Sequence, residues 1–489
     1  MRPLRLAALL TLAGLAAACG STRPAAVPAH EPRPAPPSPG AAREGVTLLV
    51  TVLDGDRRVR VRGALVHLWG RRGVSNRTGV ARIRVPHLRP LRVTVTAHGF
   101  ARRTLLVPFG KREATLRIYR PDLQWPLYGV TAARSQAQAH IRLRPPFRTV
   151  WSIAVGGLIE FPADVDDGVA YVANAKGSVR AISMRFGTQV WRHDTPGSPR
   201  MASSPAVAGR LLVYHTMDGR VIALDRASGR ERWSWSAGSP IESSPVVRDG
   251  VDYFGAWNGR LYALDLATRE VRWSRTLGAK ITSSVALAGG SLYIGDYAGR
   301  LWSLDASRGG VRWTASVDGR IYGTPAVAGG RVFVPSSTGD SLTAFSTAGA
   351  ELWRVRTGGY VYSSPAVSGG RVFFGSYDGA LYGVSAATGA VLWRVSAGGP
   401  ISGAAVVVDG VAYAGSFAHR IVGVDAATGR TLLVFGHGHY VPVSGNGMRL
   451  LFHGYSRLYA VEPRGRPSKE RAVTRITASP SRDLRRPGT

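Results

Sequence analysis

The sequence is short of several things, and each shortage excludes a class of protein. One cysteine, Cys19, stands among 489 residues, so no disulfide framework staples the chain. Charged residues are only 19% against 45% hydrophobic, which leaves most of the chain able to bury a core. After the first 18 residues no apolar run is long enough to cross a bilayer, which rules out a polytopic membrane protein. Hydrolase and nucleotide signatures are missing too: there is no G-x-S-x-G elbow, P-loop or H-E-x-x-H. What abounds is punctuation. With 60 Gly and 30 Pro, the chain is too turn-rich for a helical bundle.

Acidic residues are also few, 30 against 63 basic ones, for a net charge of +33. Its location matters more than its size. Residues 1–147 carry +19 and 463–489 carry +6, whereas the long stretch 148–462 carries only +8. Lysine is confined to Lys111, Lys176, Lys280 and Lys469, so the basic residues are nearly all Arg, as a GC-rich coding sequence gives.

The N-terminus sets the compartment. Arg2 and Arg5 precede the apolar run Leu6 to Leu15, and Ala16-Ala17-Ala18 supplies a small-residue cleavage site before Cys19. Residues 1–18 therefore read as a secretory signal peptide. The Ala-Ala-Ala-Cys sequence resembles the lipobox of bacterial lipoproteins, with Ala16 where leucine is usual, and implies lipidation at Cys19. The expected location is extracytoplasmic, on the periplasmic face of an outer membrane or the outer face of a cytoplasmic membrane. Nucleic acid is then an improbable partner for the positive charge. Residues 19–44, rich in Pro and Ala, read as a semi-rigid spacer.

Residues 45–120 alternate apolar and polar in short runs separated by Gly turns, the pattern of a small β-sandwich. "RTGVARIRV" followed by "LRVTVTAHGFARRTLLV" resembles the carboxypeptidase-regulatory-like, immunoglobulin-type domains of secreted bacterial proteins. Arg58, Arg60 and Arg62 alternate and predict a basic strand face turned to anionic surfaces. Residues 121–147 read as a connector anchored by Trp125 to Gly129. Residues 464–489 lack periodicity and read as a basic disordered tail.

The stretch 148–463 carries a repeat. Trp151, Trp191, Trp233, Trp273, Trp313, Trp353 and Trp393 recur every 40 residues, once after 42, and Leu433 continues the series. Each period holds four strand-like runs between Gly-containing turns, as in 361–393: VYSSPAV, RVFFGSY, LYGVSAA, VLWRV. A period near 40 of this make-up means propeller blades. The last period supplies only three strands, and Phe147 to Ile153 offers the missing outer one. The prediction is all-β: an eight-bladed propeller closed by its N-terminal strand, preceded by the sandwich. The tryptophans are expected to pack between blades.

The repeat "SSPAV…GSYDGALYGVSAATGAVLW", together with "WPLYGVTAARSQA", resembles the pyrroloquinoline-quinone-type propeller family. One branch holds quinone-dependent dehydrogenases, and the resemblance implies for several of these a vicinal cysteine pair, beside a calcium ion held by Glu and Asn and a catalytic Asp. The other branch holds the propeller lipoproteins of the outer-membrane β-barrel assembly machinery, which are non-enzymatic scaffolds. A single cysteine, the lipobox and the blade pattern favour the second, with no cofactor. The sandwich departs from it.

Candidate binding residues follow from register. The residues entering the inner strands, among them Arg200, Lys280, Arg320, Tyr360 and Tyr440, face the channel mouth, and the next channel position adds Glu242, Tyr322 and Tyr362. Such a rim suits an acidic peptide or a glycan. Trp257, Tyr297, Tyr377, Phe417 and Tyr455 share one turn position. Asp225, Asp265, Asp305 and Asp425 recur where turns are stabilised. His437, His439 and His453 could converge on a metal, although the glycines of GHGHY favour a turn. The expectation is a membrane-tethered, non-enzymatic scaffold that binds envelope proteins or wall polymers. The alternatives are a dehydrogenase-like enzyme and a ligand- or glycan-binding sensor.

Overall fold

The computed structural model describes residues 45–86, 90–197 and 199–465. The signal peptide, Cys19, the linker and nearly all of the basic tail lie outside the described residues. The remainder is all-β apart from one short 3-10 turn at Pro121–Leu123.

In the N-terminal part, Val46–Asp54 pairs antiparallel with Val80–Val85 and Val59–Arg60, and parallel with Glu113–Ile118. A second sheet runs in the order Arg71–Val74, Leu65–Leu68, Leu91–Thr96, Arg103–Val107. Strict alternation turns Ala81, Ile83 and Val85 inward and Arg82 and Arg84 outward. Val50, Val52, Val66, Leu68, Val93 and Leu116 from both sheets share one core. The basic strand face expected here does not form. Only Val59–Arg60 is strand. Arg58 has a left-handed backbone (φ 59) and its guanidinium is bonded to Glu462, a carboxylate wholly shielded from solvent. A buried carboxylate is costly unless paired, so the pairing takes this arginine away from any anionic surface.

From residue 164 onward, four-stranded antiparallel sheets repeat. In one of them Ala366–Ser368 is innermost, followed by Arg371–Gly375, Ala380–Ser385 and the outermost Val391–Ser396. The same order holds in 164–194, 206–236, 246–276, 286–316, 326–356 and 406–435. In the last sheet Val443–Gly445, Leu450–His453 and Arg457–Pro463 are completed by Phe147–Ala154, with Arg148 opposite Glu462 and Ser152 opposite Tyr459. The innermost strand Asp164–Asp166 touches both Ala206–Ala208 and Val443–Gly445.

Neighbouring sheets are stapled at their outer strands. The Trp353 indole N–H donates to the Ala386 carbonyl of the following sheet at 3.1 Å, and Trp151, Trp191, Trp273, Trp313 and Trp393 make the equivalent bond at 2.9 to 3.3 Å. The ring lies on a turn glycine. A Cβ at Gly389, where φ is 76°, would stand 2.8 Å from Trp353 Cδ2. At the equivalent turn facing Trp233 the residue is Arg269, also with positive φ.

A second set of bonds joins the sheets near the axis. The backbone N–H groups of Ser204, Ser244, Ser284 and Thr324 each donate to the side-chain hydroxyl 40 residues later, at 2.8 to 3.2 Å. Ser204 Oγ in turn donates to the Pro162 carbonyl of the preceding sheet at 2.8 Å.

The connector does more than anchor at Trp125. Residues 125–138 pass along the inner edges of the sheets. Trp125 exchanges two backbone bonds with Val165, and the N–H groups of Val207, Leu287, Val327, Val367 and Val407 donate to the carbonyls of Pro126, Ala132, Ala133, Ser135 and Gln136. Ala137–Gln138 then adds a parallel strand beside Val407 and Val408. An innermost strand would otherwise leave these donors unpaired. At the centre sits Arg134, 1% exposed. Its guanidinium donates to the carbonyls of Val285 (2.9 Å), Ser244 (3.0 Å), Pro245 (2.8 Å) and Tyr128. Burial draws its pKa down to about 10, which leaves it a cation at neutral pH.

Sandwich and propeller lie in one compact unit and share polar contacts. Glu462 accepts from Arg58, from Arg449 Nε at 2.5 Å and from Arg148 at 3.3 Å. Burial pushes this carboxyl up, but the arginines outweigh it and hold its pKa below the usual range. Asp56 accepts from the Arg120 backbone (2.9 Å) and Gln124 Nε2 (3.0 Å), and burial pushes it up to about 7.

Two predictions follow from buried polar groups. Arg134→Ala strands several carbonyls and loses the contact that joins the connector to two neighbouring sheets. It should lower stability by about 3–5 kcal/mol, measured by guanidinium chloride unfolding. His453, fully buried in the closing sheet, accepts at Nε2 from the Ala163 N–H (3.1 Å), while Nδ1 faces the Pro442 carbonyl at 3.4 Å. It is therefore neutral, with a pKa lowered by burial to about 4. The unfolded chain binds a proton that the fold refuses, so stability is full above pH 6.5 and lost as pH falls toward 4. The loss amounts to about 3 kcal/mol. Thermal melts across that window should show a slope that His453→Gln flattens.

Candidate ligand-binding face

In an antiparallel four-stranded blade, the turn between the second and third strands and the loop entering the next blade lie at the same end. Backbone bonds fix this end here. Met217, Trp257, Tyr297, Ser337, Tyr377 and Phe417 donate to the carbonyls of Arg200, Pro240, Lys280, Arg320, Tyr360 and Pro400. The turn residues and the channel-entrance residues picked out separately in the sequence thus stand side by side on one face. The turns at the other end lead to the connector and the sandwich, where Gly447 and Gly168 lie close against Asp56 and Tyr119. The candidate face is the end opposite these contacts.

The charged residues fall into two groups. Arg200 is engaged by Glu160 at 2.8 Å, a partner that the channel register overlooked. Glu242 is held at both oxygens, by the Trp257 indole N–H at 3.0 Å and the Tyr322 hydroxyl at 2.6 Å. Burial first, and then the Glu242 carboxylate, push the Tyr322 pKa far above its ordinary value, so it stays a hydrogen-bond donor. Lys280 and Arg320 are different. Lys280 Nζ sits 3.3 Å from the centre of the Trp257 ring and 4.8 Å from that of Tyr297, and Arg320 lies 5.6 Å from the other reach of Tyr297. Cation–π contact orients both, and no carboxylate pairs with either among the described residues.

Aromatic rings continue around the face. Tyr322 meets Tyr362 (5.3 Å between centroids), Tyr362 meets Tyr377 (5.0 Å), Tyr377 meets Phe417 (5.9 Å) and Phe417 meets Tyr440 (5.2 Å). Tyr360 lies over Tyr362 and Tyr377 and is 46% exposed. His439 packs on Tyr440 and Tyr455 and stacks on His419. Burial and then the neighbouring His419 lower the His439 pKa. All eight candidate rim residues thus lie at one face, and Arg200 feels the charge of Glu242 and Tyr322 besides that of Glu160.

Three other sequence expectations resolve here. The histidines do not gather: His437 stacks on Tyr459, His439 joins the aromatic arc and His453 is buried in its sheet. Among the described residues no group of three His, Cys, Asp or Glu side chains is placed to hold a metal ion. The repeated aspartates serve turns, as Asp265 Oδ1 does by accepting from the N–H groups of Ala267 (2.8 Å) and Thr268 (3.0 Å). One buried pair was not foreseen: His215 bridges the Ser243 carbonyl (2.6 Å) and Asp252 (2.9 Å). Because a carbonyl only accepts, Nδ1 carries a proton.

The quinone-binding arrangement can be tested against these residues. Cys19 is the only cysteine, so the vicinal pair does not exist. The two rim carboxylates are already committed, Glu160 to Arg200 and Glu242 to Trp257 and Tyr322. The side chains present do not fit that cofactor and its calcium ion.

Comparison with known proteins bears on the repeat. Residues 148–279, 257–359 and 341–477 match the family model described as outer membrane protein assembly factor BamB. Among curated proteins, outer membrane protein assembly factor BamB of Xanthomonas campestris pv. campestris is 33% identical over 124 residues, 22% of this chain and 30% of that one. Quinoprotein alcohol dehydrogenase PedH of Pseudomonas putida is 26% identical over 98 residues, 18% of this chain and 16% of that one. The matches thus span less than a third of the length of either relative. Among solved structures, BamB from Moraxella catarrhalis superposes with a TM-score of 0.56 at 18% identity, over 66% of this chain and 99% of that one. Quinohemoprotein alcohol dehydrogenase from Comamonas testosteroni gives 0.60 at 15%, over 69% and 80%. These two structures speak to the propeller fold alone. The family match, by contrast, runs through about two thirds of the sequence, and the chain belongs to the outer membrane protein assembly factor BamB family.

Proposed function

We propose that this protein is a non-enzymatic, extracytoplasmic scaffold, tethered through a lipid on Cys19, whose sheets form one ring of eight blades and present an open face to envelope proteins or wall polymers. The observation that carries the reading is the state of the rim. Its carboxylates are consumed by internal partners, while its aromatic rings and two of its cations remain on the surface. Such groups suit recognition better than proton transfer, which needs a free acid or base near the substrate. The sandwich acts as a second module fixed to the opposite end. Family membership supports a role in assembling envelope components.

The test is crosslinking in cells followed by capture of the tagged chain, with Cys19→Ala alongside. Capture of a β-barrel assembly complex, lost in Cys19→Ala, is the expected result. If the Cys19→Ala protein fractionates and crosslinks as the native one does, tethering through that residue is wrong.

The partial likeness to a quinoprotein alcohol dehydrogenase motivates a second reading, that of a dehydrogenase. Purified protein supplied with pyrroloquinoline quinone and Ca²⁺ would then reduce an electron-accepting dye with an alcohol or sugar. The committed rim carboxylates predict no turnover above a protein-free control.

A further inference from the structure

The open face has a composition that selects a ligand class. Between the rim residues, the alternate positions Ile241, Ile281, Ile321, Val361 and Ile401 are all fully buried. These aliphatic side chains are spent inside the propeller, and apart from Pro240 and Pro400 the channel-entrance positions carry aromatic or cationic side chains, namely Arg200, Lys280, Arg320, Tyr360 and Tyr440. A peptide partner is normally anchored by side chains entering apolar pockets. This face offers rings instead. Tyr360, Tyr362 and Tyr377 meet at centroid distances of 5.0 to 6.1 Å with their planes inclined by 48° to 81°, so ring faces and hydroxyls alternate along the arc. A sugar ring has the matching surface, a C–H face for stacking and hydroxyls around its edge.

The charge narrows the class further. Lys280 and Arg320 both contact the Tyr297 ring, and among the described residues neither forms an ion pair with a carboxylate. Glu242 stands nearby, but both its oxygens are occupied. Two oriented cations beside a tyrosine arc call for an anion on the ligand. Residues 125–138 bond to the inner strands, and the buried Arg134 guanidinium holds the carbonyls of Ser244, Pro245 and Val285 there. A linear ligand is therefore expected to lie across the open face.

We infer that the open face binds an anionic polysaccharide, with carboxylate groups at Lys280 and Arg320 and sugar rings stacked on the arc led by Tyr360 and Tyr362. The inference goes beyond the scaffold reading, since it holds whether or not an assembly complex is captured.

Isothermal titration of the full chain tests it, with an oligogalacturonate, its methyl ester and a poly-glutamate of similar charge as probes. The oligogalacturonate should bind at least tenfold more tightly than the ester, and the difference should shrink as salt rises. Lys280→Gln combined with Arg320→Gln should weaken binding tenfold or more, and Tyr360→Ala should weaken both carbohydrate probes. Arg210→Ala, at a turn of the opposite end, should change nothing, and the melting temperatures of the variants should match that of the native chain. Equal affinity for acid and ester, unaltered binding in the double variant, or no binding at all would each overturn the proposal. Equal binding by poly-glutamate, in competition with the uronate, would assign the face to acidic peptides instead.

Discussion

An innermost propeller strand is hydrogen-bonded on one edge only, and its other edge faces the axis. Here these strands are three residues long, so few of their own bonds hold them. The structure depends on how their free donors are answered. Connector carbonyls from Pro126 to Gln136 answer one set, and the side-chain hydroxyls of neighbouring sheets answer another. An unpaired buried N–H costs about 1–3 kcal/mol. A ring in which every sheet carried such a debt would not be stable, so the connector is part of the propeller's interior and more than a link between domains. Its Arg134 works because a guanidinium has five donors in a fixed fork, enough to meet carbonyls from several sheets at once.

Closing one end determines what the other can do. With the connector bonded along the inner edges and the sandwich held at Glu462 and Asp56, the end carrying Lys280, Arg320 and the tyrosines lies opposite both, and Tyr360 there is 46% exposed. The same scarcity of acidic residues that makes the chain so basic shapes that end. Glu160 is paired with an arginine, whereas Glu242 accepts from an indole and a phenol and keeps its charge. The latter choice matters. Because Glu242 takes neutral donors, it does not consume Lys280, which is left to rest on Trp257.

Much of the architecture was legible because it repeats. A tryptophan every 40 residues, a glycine at most outer turns and an SSP-type sequence before most inner strands all encode contacts between one blade and the next, and a fixed period exposes them. The rim was legible for the same reason, since register alone brought Arg200 through Tyr440 to one face. What escaped were the contacts made once. Arg134 lies in a segment without periodicity, and its partners are 110 to 151 residues away in the propeller. Arg58 reads as one of three alternating surface arginines until Glu462, 404 residues later, is placed beside it. His215 and Asp252 likewise sit on adjacent sheets in a pairing that no spacing rule marks.

The unrepeated contacts also explain why a repeat protein of this kind holds one register. Sheets that are nearly interchangeable could exchange places or open into an extended array, since each needs only its neighbours. The hydroxyl chain and the tryptophan staples do not distinguish one blade from another. The singular features do. Tyr128 donates to Ser364, with Thr324 and Gln136 also beside its hydroxyl. Arg134 reaches Ser244, Pro245 and Val285, and Glu462 binds arginines from the sandwich, the closing strand and its own sheet. These contacts tie the two ends of the propeller sequence together at one place, and they set which part of the ring lies beneath the sandwich. The open face is thereby given a fixed orientation relative to the sandwich.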